Sequence, residues 1–144
     1  MQADPGALIV CAGSRVDVAV DVRLGARAAL DWRELIVLDR AGEPAGEVTL
    51  RWNVTRLGRP VLRQFVDLRD PVFTGWTGMT GQRRMFACAL MTGPRIAATT
   101  IARSATSVAQ RIDDQTVLAT VLGSGTAEAT RELGDLCGLI YECG

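Results

Sequence analysis

The chain has 144 residues, 48% of them hydrophobic and 22% charged, with 16 basic and 16 acidic side chains that cancel. That apolar share and zero net charge exclude a disordered chain, and the length suits one domain with its own core. No apolar run reaches the roughly 20 residues that span a bilayer, and no arginine cluster offers a phosphate backbone a grip.

From Arg15 to Arg23 the sequence alternates strictly, with Val16, Val18, Val20 and Val22 on one face and Asp17, Asp21 and arginines on the other. This is the period-2 signature of a half-buried strand. Leu24-Gly25-Ala26 turns the chain into a second strand, Ala28–Leu38, whose run Leu35-Ile36-Val37-Leu38 suits burial on both faces. A third strand, Glu47–Thr55, alternates Val48, Leu50, Trp52 and Val54 with polar residues. Leu57-Gly58-Arg59-Pro60 then makes a hairpin turn into Val61–Leu68. Consecutive strands with short connections predict an antiparallel meander.

Asp70 to Arg84 reads as a glycine-rich loop around Phe73 and Trp76. These two aromatics fit a packed core and a partner-binding hot spot equally well. Met85–Met91 is a short apolar strand, Pro94 to Arg103 fits a strand or a short helix, and Val117–Leu122 is a strand. A helix follows to about Ile140, with Ser124 and Thr126 rival N-caps. Its apolar stripe is expected at Ala127, Ala129, Leu133, Leu136, Leu139 and Ile140. The fold class is therefore mainly β, a single domain over residues 1–144. A β-strand region occupies 7–68, and strands plus a terminal helix occupy 85–141.

The chain contains no histidine and no lysine. That removes the commonest metal ligand and general base, the Ser-His-Asp triad, and Schiff-base and P-loop lysines. Cys11, Cys88, Cys137 and Cys143 form no CxxC pair and read as buried inert thiols. No nucleophile, base and orienting group can be assembled, so the chain is read as a non-enzyme. Asp31 and Glu34 sit three apart and point to opposite faces of a strand, which spoils them as an acid/base pair. Glu34 stands out for another reason: a carboxylate beside so apolar a run must be paired or neutralised. With no basic-plus-apolar leader at its start, the chain is expected to be cytoplasmic, without membrane or nucleic-acid partners.

Several segments, in order, resemble the urease accessory protein UreD (UreH) family. Trp32-Arg33-Glu34-Leu35-Ile36-Val37-Leu38-Asp39-Arg40-Ala41-Gly42-Glu43 is similar to that family's apolar strand and following turn. Arg56–Gln64 resembles the turn before its Pro-Leu-Leu strand, Asp4-Pro5-Gly6-Ala7 and Gly13-Ser14-Arg15 its run into a valine-rich strand, and Gln115–Gly123 its closing strand before a helix. Asp39, Gln64 and Thr120 depart from residues usual or frequent in the family. The family is about twice this length, and these segments match its second half.

The resemblance implies a solenoid-like, largely β fold and a non-enzymatic scaffold. Such a scaffold binds apo-urease and UreF, through which the GTPase UreG docks, and passes nickel in transit without holding a cofactor tightly. Carried over by position, Glu34 and Gln64 lie on that nickel path. Two other readings compete: a generic β-rich protein-binding module without a metal role, including a truncated fragment without function, and a carboxylate-dependent hydrolase. An open solenoid end leaves unpaired strand edges, so the 144 residues alone are expected to dimerise or aggregate. A clean monomer by light scattering at micromolar concentration would count against this.

Overall fold

Ten strands and one helix are present among the described residues, which are 1–38, 42–69, 80–81, 83–96 and 100–142 of a computed structural model. In chain order they are β1 (Gln2–Ala3), β2 (Ala7–Ile9), β3 (Arg15–Leu24), β4 (Leu30–Val37), β5 (Glu47–Arg56) and β6 (Arg59–Asp67). After these come β7 (Met85–Thr92), β8 (Ile101–Ser104), β9 (Ser107–Asp113), β10 (Thr116–Gly123) and α1 (Thr126–Glu142).

All eight residues of β7 are buried. Side chains alternate across a strand, so both faces of its sheet must be covered. Phe86, Cys88 and Leu90 enter a core shared with Leu50, Trp52 and Val54 of β5. Ala87, Ala89 and Met91 enter a second core with Leu133, Leu136 and Ile140 of α1. Three layers result: a small sheet, a large mixed sheet and the helix. The large sheet runs β1-β4-β7-β10-β9-β8, with β2 also on β4, and the small one runs β3-β5-β6.

The mainly β class with a terminal helix holds, but the strands do not follow a plain meander. β3 and β5 pair in parallel from Arg15↔Glu47 to Leu24↔Arg56, and β4 lies between them in sequence yet in the other sheet, antiparallel to β7. A parallel pair needs a crossover, and β4 supplies it. Its Ile36 and Val37 face opposite cores, so only a middle layer can bury both. β4 therefore sits within the sheet built by residues 85–123, and the two regions read from the sequence interleave. β5 and β6 do form the expected hairpin, with positive φ at Leu57 and Gly58 (50° and 77°), the backbone of a turn that matches strand twist.

Short β1 and β2 and the polar β9 carry too little alternation to be read from sequence. The ambiguous Pro94–Arg103 stretch ends in a strand, β8. In α1, Cys137 joins Ala129, Leu133, Leu136 and Ile140 in the core, whereas Ala127 and Leu139 face solvent. The helix start is closed by the Glu128 carboxylate, which accepts from the Ser124 N–H at 3.0 Å. A Cβ on Gly123 would lie 2.8 Å from that of Ala129, so this glycine lets the helix settle on the sheet.

Cys11, Cys88 and Cys137 are free thiols. Phe73, Trp76, Asp39, Arg40 and Cys143 lie outside the described residues. No helix among the described residues is long and apolar enough to cross a membrane.

Leu90 has no exposed surface and sits in the central strand. Leu90→Ala is expected to lower stability by about 2–5 kcal/mol through lost burial and a cavity, read from urea denaturation midpoints.

Candidate functional site

Strand parity carries Glu34 into the protein. Leu30, Trp32 and Ile36 of β4 enter the core between the sheets, and Glu34 shares their face. Asp31 and Arg33 take the opposite face, where Arg33 Nε and Nη2 each donate to the Asp31 carboxylate at 3.0 Å. Glu34 is only 6% exposed, and its Oε2 accepts a 2.8 Å hydrogen bond from Trp52 Nε1, across the sheet interface.

Trp52 is itself flanked in register by Val20 on β3 and Gln64 on β6. Gln64 therefore lies on the inner face of the small sheet, half-buried, on the strand next to the indole that holds Glu34. On the large sheet Cys88 is the register neighbour of Glu34, with Thr120 beyond it. The structure thus gathers Glu34 and Gln64 around Trp52.

Burial pushes the Glu34 carboxyl above the usual carboxylate range, and the Trp52 hydrogen bond and the Trp32 indole act against that rise. The Trp32 Nε1 is buried yet meets no acceptor in hydrogen-bond geometry. Burial, reinforced by the Glu34 charge, raises the Cys88 thiol well above its ordinary value. A thiol held protonated is a poor metal ligand, so Cys88 acts as packing.

The edge of the large sheet is broken beside Glu34. β1 pairs with Asp31 and Trp32, and β2 pairs with Leu35 through Val37. Between them Asp4-Pro5-Gly6 leaves the line, turned by a bond from the Gly6 N–H to Asp4 Oδ1 at 3.0 Å and by φ +85° at Gly6. Among the described residues Arg33 and Glu34 have no strand partner on that side. Two cavities meet here. One, of about 550 Å³, lies between the sheets and is lined by Val18, Val20, Trp32, Glu34 and Ile36. The other, of about 210 Å³, lies toward α1 and is lined by Asp4, Arg33, Glu34, Ala87, Thr130 and Leu133. Gly6, Ala7, Glu34 and Leu35 border both.

No cluster of three or more His, Cys, Asp or Glu side chains among the described residues could hold a metal ion. What the arrangement offers a cation is one carboxylate between two cavities, with Asp4 bordering the second.

No protein-family model matches the chain. Its sequence is 33% identical over 87 residues to urease accessory protein UreD 1 of Streptomyces griseus subsp. griseus, covering 60% of this chain and 34% of that protein. It is 38% identical over 74 residues to UreD 3 of the same organism, covering 51% and 29%. To UreD 2 of Saccharopolyspora erythraea it is 34% identical over 95 residues, covering 65% and 33%. The chain is related to the urease accessory protein UreD family. The matches span about a third of the length of these UreD relatives.

Reading the sequence missed Asp4 as a cavity residue and Trp52 as the donor to Glu34. Asp4-Pro5-Gly6 entered the sequence reading only through the family resemblance, and its position opposite Glu34 depends on the parallel pairing of β1 and β2 with β4. Trp52 obeyed the alternation of its strand and so looked like core alone.

The raised Glu34 pKa has a stability consequence. Between the ordinary carboxyl value of 4.5 and the higher folded value, the folded state binds more protons than the unfolded one. Glu34 therefore contributes stability that is present below pH 4.5 and lost as pH rises through the folded pKa. The stability of the wild type relative to Glu34→Gln is expected to fall across that window, measured by urea denaturation from pH 4 upward.

Proposed function

We propose that this chain is a non-enzymatic urease accessory protein. In this reading it is a scaffold that binds apo-urease and UreF, with UreG docked through UreF, and offers Ni²⁺ a path toward the urease active site. One observation carries the metal part: a buried carboxylate, Glu34, borders cavities on both faces of the large sheet at the one place where the β1–β2 edge is interrupted. The relatives' name, urease accessory protein UreD, supports the setting.

A charge at that depth is costly unless something compensates it. A passing cation displaces the proton and supplies the compensation, while the Trp52 N–H holds the carboxylate in place. Oxygen donors without imidazole or thiolate bind Ni²⁺ weakly, which suits transit more than storage. Gln64, a neutral amide on the strand beside Trp52, adds an oxygen donor to the same layer without adding charge. In a generic binding module Glu34 would serve only as the acceptor for the buried Trp52 N–H; the conduit reading also accounts for the two cavities that its carboxylate borders.

The test is urease activation with this chain, UreF, UreG and apo-urease combined, reading enzyme activity and nickel content together. Glu34→Gln keeps the shape and the Trp52 contact but removes the charge, and is expected to retain binding to UreF while lowering nickel delivery several-fold. Unchanged nickel delivery by Glu34→Gln would overturn the conduit role. Failure of the wild-type chain to capture UreF or apo-urease would overturn the scaffold role.

A further inference from the structure

β6 is the outer strand of the small sheet, and among the described residues no strand pairs with its far side. Its register on β5 shows which backbone groups are free. The Leu68 N–H donates to the Val48 carbonyl at 2.9 Å. The register then continues Leu50↔Val66 and Trp52↔Gln64, so even-numbered residues of β6 bond to β5. Antiparallel pairs alternate between bonded and non-bonded. The N–H and C=O groups of Arg63, Phe65 and Asp67 therefore point outward from the sheet edge.

The side chains of the same three residues stand on the outer face, away from the core. Phe65 is 63% exposed, an unusual place for a phenylalanine on a free edge. Among the described residues the Arg63 side chain has no ion-pair or hydrogen-bond partner, whereas the Asp67 carboxylate accepts three bonds from Arg69, from its N–H at 3.1 Å, Nε at 2.8 Å and Nη2 at 2.5 Å. A carboxylate can accept about four bonds, so one accepting position of Asp67 is left for a second cation.

We propose that β6 is a self-docking edge. Two copies of this chain join antiparallel about a two-fold axis at Phe65, making one continuous six-stranded sheet from the two small sheets. The sequence is self-complementary in that register alone. Phe65 meets Phe65 of the second copy, and Arg63 meets Asp67 on either side of the axis. Aromatic and opposite-charge pairs directly across a strand pair both stabilise it, and a two-fold axis presents each contact twice. Arg69 keeps Asp67 ionised by holding its carboxyl down at about 2, so the charge pairs persist through the neutral range. The other edge of the small sheet behaves oppositely. β3 run against itself in full overlap sets Arg15 against Arg23 and Asp17 against Asp21, which brings like charges together. β8, the far edge of the large sheet, is only four residues long.

The experiment is sedimentation of the whole chain over a micromolar concentration series, with charge-reversed variants. The wild type is expected to show a monomer–dimer equilibrium. Arg63→Asp sets carboxylates against each other across the axis, and Asp67→Arg sets guanidinium groups against each other. Each alone is expected to weaken dimerisation about tenfold or more, and an equimolar mixture of the two is expected to restore it. Circular dichroism on each variant shows that the sheets remain, and recovery in the mixture excludes misfolding as the cause of any loss. A wild-type monomer across the series would overturn the proposal. So would a dimer indifferent to Arg63→Asp, or a mixture no more dimeric than its components.

Discussion

Everything in this protein hangs on a strand that has no polar face. β7 buries residues on both sides, so it can exist only as the middle of a sandwich, with a sheet over one face and a helix over the other. β4 and β10 are drawn in as its neighbours, since only strands nearly as apolar can lie beside it without stranding polar groups. On its inner face β4 meets that demand with one exception, Glu34, while Asp31 and Arg33 on the other face pair with each other.

The exception is handled locally. Glu34 is bonded by an indole from the opposite sheet, and the interruption between β1 and β2 leaves cavities on both sides of it. A second polar link joins the sheets at their other end. Arg56 of β5 reaches Thr92 and Thr116 of the large sheet, with Asp113 at 3.5 Å. Between these two links the sheet interface is apolar. Such an arrangement fixes how the sheets sit on one another, since sliding either would leave a buried charge without its partner. The position of Glu34 is thus as much a constraint on the sandwich as an opportunity for a cation.

Relatedness to UreD proteins and the geometry around Glu34 come from separate observations. The former rests on identities of 33 to 38% over stretches of 74 to 95 residues, the latter on register and burial. Glu34 stands out in the sequence because its neighbours are apolar, and in the structure it faces the inside of the sandwich. Gln64 reached the same layer by a different route, through the β5–β6 hairpin.

The alternation of Arg15–Leu24 and Glu47–Arg56, the Leu57-Gly58 turn, the apolar β7 and the closing helix were all legible from sequence, because each depends on the spacing of neighbouring residues. The oddity of Glu34 was legible for the same reason. Which strands pair was not. The parallel match of β3 with β5, the transfer of β4 to the other sheet and the attachment of β1 and β2 to its edge are contacts between distant segments, and no local period encodes them. Those contacts alone placed Trp52 over Glu34, set Gln64 beside it and brought Asp4 to the same opening. Local spacing determines which face a side chain takes; only the competition among strands for cover, settled in three dimensions, decides what that face meets.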